Sequence, residues 1–181
     1  LDHYGTNVIE YNDRHLTRSP GLQTIFKIDG TWYDSAKAIW NVKKIDSTHL
    51  FAKVRWDNLA VHQDWTFSFD QENCLTWKVE NVYHDGQSPL LAFARKQGDQ
   101  VPPRIDTQKT LLWIDEETDF HFYPHGKCVI EPHQSRKDMY PVMALEIKSQ
   151  ADEFSYAQNH DAGTHAQCMV MERDANALHG K

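Results

Sequence analysis

Histidine, carboxylate and tryptophan side chains hold most of the reactive chemistry in this chain. The sequence has 11 histidines in 181 residues, well above ordinary use. In His121-Phe122-Tyr123-Pro124-His125, a continuing strand would put His121, Tyr123 and His125 on one face, and Glu131 follows shortly after. Imidazoles beside a carboxylate suit an acid-base pair or a metal. Pro124 opposes this, because it ends the strand at Tyr123 and splays the two imidazoles apart; no metal and no cofactor is expected. Asn159-His160-Asp161 with His165 forms a second polar knot, read as a turn before the last strand. Cys74, Cys128 and Cys168 are widely spaced in apolar surroundings, which predicts buried free thiols. There is no Gly-x-Ser-x-Gly elbow, no Gly-rich phosphate loop and no His-Glu-x-x-His, so hydrolase and nucleotide chemistries have no anchor.

The six tryptophans, at 32, 40, 56, 65, 77 and 113, fall on or beside expected strands. Most must fill a core, yet one or two can serve as stacking platforms for the C–H face of a sugar ring, with polar side chains taking the hydroxyls.

The elements that must position these groups are strands. Leu50, Ala52, Val54 and Trp56 alternate with Phe51, Lys53 and Arg55; Trp65, Phe67 and Phe69 alternate with Thr66 and Ser68; Leu75, Trp77 and Val79 oppose Thr76, Lys78 and Glu80. Period two is the mark of half-buried antiparallel strands. The polar loop Asp70-Gln71-Glu72-Asn73 joins the last two as a hairpin. Further strands are expected over 22–29, 39–45, 90–96, 110–115, 119–123, 127–131, 142–148 and 165–172, about a dozen in all, with turn chemistry at Asp29-Gly30, Asp46-Ser47 and His125-Gly126. Helix is expected only as a turn or two over 34–40, with Asp34 as N-cap, and in the tail 172–179. Gln97–Thr107 and Glu131–Tyr140 read as long loops, and residues 1–21 as an irregular arm. These features predict a single all-β domain over 1–181, complete or excised from a larger protein: an antiparallel two-sheet sandwich, with a β-barrel as the alternative.

Charge narrows the partners. Nineteen basic against 26 acidic residues give −7, with no basic cluster, so neither nucleic acid nor an anionic membrane is expected. No apolar run approaches the roughly 20 residues needed to span a bilayer. The unpaired cysteines and the absence of an Asn-x-Ser/Thr sequon lean towards a reducing, cytoplasmic compartment. Edge strands of such a sandwich can pair between subunits, so a homo-oligomer is among the expected partners.

The segment HQDWTFSFDQENCLTWKVENVY, residues 62–83, resembles the paired strands of the galactose-mutarotase-like super-sandwich family, an aromatic strand, an acidic turn and a strand of the form L-x-W-x-V/I-x-V. The likeness extends over approximately residues 40–172. It implies a sugar-binding sandwich, either an aldose epimerase with a histidine acid and a glutamate base, or a non-catalytic domain attached to polysaccharide-processing enzymes. His121 and Glu146 are the acid and base candidates on chemistry alone. The chain is shorter than a full super-sandwich and lacks a match to the epimerase motifs, which favours a carbohydrate-binding or accessory domain over an enzyme. The expected ligand is a saccharide or other small molecule, held by Arg95, Trp113, His121, Tyr123 and His125. Gly30-Thr31-Trp32-Tyr33, followed by Asp34-Ser35-Ala36, resembles the G-x-W motif that opens lipocalin barrels. That resemblance implies a carrier of a small hydrophobic ligand, with Trp32 near the floor of an interior pocket.

Overall fold

The computed structural model describes residues 9–17, 19–57, 59–72, 74–84, 105–115, 118–138, 141–146, 152–158 and 166–174. The fold is all-β and sandwich-like, built from open antiparallel sheets, none of which closes into a barrel among the described residues. No helix among those residues is long and apolar enough to cross a membrane. The chain divides into two compact units, one formed mainly by residues 37–104 and one by 6–36 with 105–181.

The first unit is a meander of four strands in spatial order, β5 (Ile39–Lys44), β6 (His49–Arg55), β7 (Val61–Phe69) and β8 (Leu75–Tyr83). Two of its three turns are made by aspartates acting as local acceptors. Asp46 Oδ1 accepts from the backbone N–H groups of Thr48 and His49, and Asp70 Oδ1 from those of Glu72 and Cys74. Such Asx turns replace ladder hydrogen bonds where the chain reverses. The second hairpin then zips from Phe69↔Leu75 to Val61↔Tyr83. Ala52, Val54, Trp65 and Phe67 form a buried face, with Trp40 edge-on to Trp65 at 5.0 Å. Within it Gln63 is fully buried; its Oε1 accepts from the Trp65 indole N–H at 3.2 Å and its Nε2 donates to Asn81 Oδ1 at 3.0 Å. The opposite face carries Lys53, Arg55, Asp64, Lys78 and Glu80.

The second unit holds a short ribbon of β1 (Glu10–Tyr11) and β2 (Arg14–His15), a five-stranded sheet and a three-stranded sheet. The five-stranded sheet includes β3 (Leu22–Ile28), β4 (Thr31–Asp34), β9 (Thr107–Asp115), β13 (Asp152–Gln158) and β14 (Ala166–Asp174), in the order β13-β14-β9-β3-β4. β3 and β4 are joined by Asp29-Gly30, both at positive φ (46° and 79°), the two-residue turn whose twist matches that of the strands. A 3-10 turn over Ser35–Lys37 follows, started by Asp34, whose Oδ1 accepts from Ala36 N–H as expected of an N-cap. One face of this sheet buries Leu22, Phe26, Leu112 and Ile114. On the other face Gln23 repeats the device of Gln63, accepting from the Trp113 indole N–H at 2.7 Å and donating to Asp34 Oδ1 at 2.6 Å.

The three-stranded sheet runs β10 (Thr118–Tyr123), β11 (Lys127–Pro132) and β12 (Met143–Glu146). Thr118, Cys128, Ile130 and Pro132 are buried on one face, while the other is solvated.

Several expectations need correction. The tail helix is not formed where it was expected to start, because β14 continues as strand to Asp174. β13 and β4 were not anticipated, and the arm 1–21 contains the β1–β2 hairpin. Cys74 is exposed at the end of a hairpin loop, whereas Cys128 is buried as expected and its thiol is pushed up to about 11 by burial. Cys168 lies on β14, with its side chain outside the described residues. Trp32 is 50% exposed, with the Lys27 ammonium over its ring. The expected strand 90–96, residues 97–104 of the loop with Pro102-Pro103 and the knot at 159–165 lie outside the described residues. That loop ends earlier than expected, since Thr107 opens β9, and the loop expected over Glu131–Tyr140 yields its first two residues to β11.

Candidate functional site

The solvated face of the three-stranded sheet collects the largest group of the expected residues. Antiparallel register sets who shares it: Asp119↔Glu131, His121↔Val129 and Tyr123↔Lys127 on one side of β11, Val129↔Ala144 and Lys127↔Glu146 on the other. Residues directly opposite in a ladder point to the same face. Asp119, His121, Tyr123, Glu131 and Glu146 therefore stand together on one exposed surface. Pro124 ends β10 at Tyr123, as its missing N–H requires, and His125 and Gly126 turn the chain at φ 65° each. His125 is thus held at the hairpin tip in the left-handed region, off the strand that carries His121 and Tyr123.

Two histidine–carboxylate pairs lie side by side here. His121 Nε2 is 3.5 Å from Glu131 Oε2, and His133 Nε2 is 3.1 Å from Asp119 Oδ1. Asp119 stands directly opposite Glu131, and each carboxylate has an imidazole beside it. Glu146, the expected base, lies in line with Tyr123 rather than His121, two strand spacings across and two residues along from His121, about 12 Å between backbones. The acid nearest His121 is Glu131. Asp119 and His133 were not anticipated, although the alternation of β10 and the reach of its hairpin place both beside Glu131.

The remaining expected residues are elsewhere. Trp113 is half-buried in the five-stranded sheet, with its indole committed to Gln23. Arg95 lies outside the described residues.

A second cluster, absent from the sequence reading, occupies the charged face of the first unit. His62 is 5% exposed, and its ring stacks on His84 with centroids 4.5 Å apart. Its Nδ1 meets His84 Nε2, and its Nε2 lies 3.1 Å from Asp64 Oδ1. That last pair is close enough for attraction but out of hydrogen-bond alignment, leaving both buried atoms without a hydrogen-bond partner. Burial, opposed by the Asp64 carboxylate and reinforced by Lys53 and His84, holds His62 below the usual histidine range. The signal was present in the hairpin: once Phe69 pairs with Leu75, counting back along both strands brings His62 opposite Val82 and diagonal to His84. Among the described residues, no group of three or more His, Cys, Asp or Glu side chains is placed to hold a metal ion.

Comparison with known proteins finds no family model that matches the chain, and no curated protein or solved structure similar to it.

Proposed function

We propose that this protein is a carbohydrate-recognition domain that binds a saccharide on the solvated face of β10, β11 and β12. The observation that supports this reading is the grouping of Tyr123, His121, His133, Asp119 and Glu131 on one exposed, β-rigid surface. A sugar presents an apolar C–H face and a rim of hydroxyls. Tyr123, 54% exposed, offers the stacking ring, and the carboxylates accept hydroxyl hydrogen bonds while being held in place by their imidazoles. The exposure of His121, Tyr123, Glu131 and Glu146 suits an extended or chain-end glycan more than an enclosed monosaccharide. The separation of His121 from Glu146 favours binding over anomeric catalysis.

The test is a glycan-array screen of the full chain, followed by calorimetric titration of any hit into wild type, Tyr123→Ala and His121→Ala. A saccharide bound by wild type, with affinity lowered at least tenfold in both variants, is the expected result. A folded protein that binds no glycan, or a hit whose affinity neither variant changes, overturns the assignment.

A further inference from the structure

We propose that His62 and His84 form a two-histidine bite for a divalent transition metal of the zinc, copper or nickel class, oriented by Asp64. The site is separate from the sheet face assigned to saccharide and does not depend on it.

The geometry follows from the β7–β8 ladder. His62 lies opposite Val82, so His84, two residues further along β8's direction, is its diagonal neighbour on the same face. The backbone of His84 is fixed just beyond the strand by donation from its N–H to Ala60 O at 2.8 Å. The two nitrogens that meet, His62 Nδ1 and His84 Nε2, are 2.5 Å apart. Each neutral imidazole has one N–H and one lone-pair nitrogen, so the contact is an N–H···N hydrogen bond whose roles depend on the tautomer, and a cation that displaces the shared proton finds both lone pairs facing it. At metal–nitrogen bonds of about 2.0–2.1 Å, two imidazole nitrogens on one tetrahedral ion stand roughly 3.3 Å apart. The rings therefore need to part by less than ~1 Å. The half-buried His84 sits just beyond the end of β8.

The other side of the His62 ring supplies the independent observation. Nε2 and Asp64 Oδ1 are both buried and both unpartnered, 3.1 Å apart. A metal on Nδ1 places the ring proton on Nε2, and a small rotation of the ring aims that proton at Asp64. This is the carboxylate–histidine–metal arrangement in which the outer carboxylate fixes tautomer and raises ligand basicity. One ion thus replaces the nitrogen–nitrogen hydrogen bond and fixes the tautomer in which Nε2 can donate to Asp64 Oδ1.

The surroundings are electrically mixed. Lys53 and Glu80 stand opposite Asp64, and Arg55 opposite His62; Glu80 is paired with Lys78 at 2.7 Å and Arg55 with Asp57 at 3.6 Å. Imidazole donors select zinc, copper or nickel over calcium and magnesium. With two protein ligands, water completes the shell, so the ion is exchangeable and open to an incoming anion or carbonyl.

The experiment uses the full chain, stripped with chelator and titrated with ZnCl2, NiCl2 and CuCl2. Wild type should take up one equivalent saturably with a raised melting midpoint, and its Cu(II) complex should show spin coupling to two imidazole nitrogens. His84→Phe, which keeps a stacking ring and removes the nitrogen, should weaken affinity at least tenfold and abolish the melting shift. Asp64→Asn should weaken it 10- to 100-fold without changing the two-nitrogen signature. Failure of the folded wild type to take up any of the three ions overturns the proposal. So does uptake that survives His84→Phe but disappears in the double variant His121→Ala/His133→Ala, since that would place the ion on the other sheet.

Discussion

Gln63→Leu should destabilise the protein by about 2 kcal/mol, although it replaces a polar core residue with an apolar one of similar size. Gln63 is fully buried and connects two partners, accepting from Trp65 Nε1 at 3.2 Å and donating to Asn81 Oδ1 at 3.0 Å. Leucine leaves the Trp65 indole N–H, on a residue with no exposed surface, without that acceptor, a cost of ~1–3 kcal/mol. Asn81 is half-buried and can turn to water, so its lost bond costs ~0.5–1.5 kcal/mol. The apolar gain of leucine offsets about 1 kcal/mol of the sum. Asn81→Ala alone should cost about 1 kcal/mol, and the double variant should fall short of the sum of singles by about 1 kcal/mol, because the two share one bond. Urea denaturation followed by near-ultraviolet circular dichroism and tryptophan fluorescence reads these values, with the m-value unchanged. If Gln63→Leu lies within ~0.5 kcal/mol of wild type, or costs no more than Asn81→Ala, the indole–amide link is not what holds this face.

Stability should also depend on pH through His62. Its folded-state affinity for protons is below that of an ordinary histidine, whose value is 6.5, so the unfolded chain binds more protons as pH falls. The contribution is therefore complete above about pH 6.5 and is lost progressively below it. His62→Gln should flatten the slope between pH 6.5 and 5 in urea midpoints, and an unchanged slope refutes the assignment. His125→Gly should raise stability by about 1 kcal/mol, because φ 65° strains a residue with a Cβ and suits glycine. The same variant leaves saccharide affinity unchanged if His125 serves only the turn, and lowers it if the imidazole reaches ligand; a loss of stability refutes the backbone argument.

Much of the architecture was legible because strand alternation and turn chemistry are local. The faces of β6, β7 and β8 follow the period of two read from Leu50 to Tyr83, and the loop at 70–73 announced the hairpin. Asp29-Gly30 announced the β3–β4 turn, and Asp34 the short 3-10 turn after it. Pro124 announced the end of β10. β13 escaped because Asp152–Gln158 carries only two large apolar residues, Phe154 and Tyr156, and lies between polar stretches. Of the candidate site, the alternation of His121 and Tyr123 was readable, as was the nearness of Glu131. Asp119 shares the period-two face of His121 and Tyr123 and was readable in the same way, whereas His133 is brought to Asp119 only by the β10–β11 register.

The sequence by itself determined the strand class, the hairpins and the residues that alternate, since each depends on neighbours a few positions away. Tertiary structure alone decided which distant strands pair, as in the order β13-β14-β9-β3-β4 and the register Leu22↔Leu112. It decided that Gln23 would meet Trp113, 90 positions away, and that His62 would be buried against His84 and Asp64. The physical reason is that a period of two says which side chains share a face of one strand but not which strand lies beside it. Sheet order comes from packing between non-local segments, and a shift of one residue would have sent every one of these partners to the opposite face.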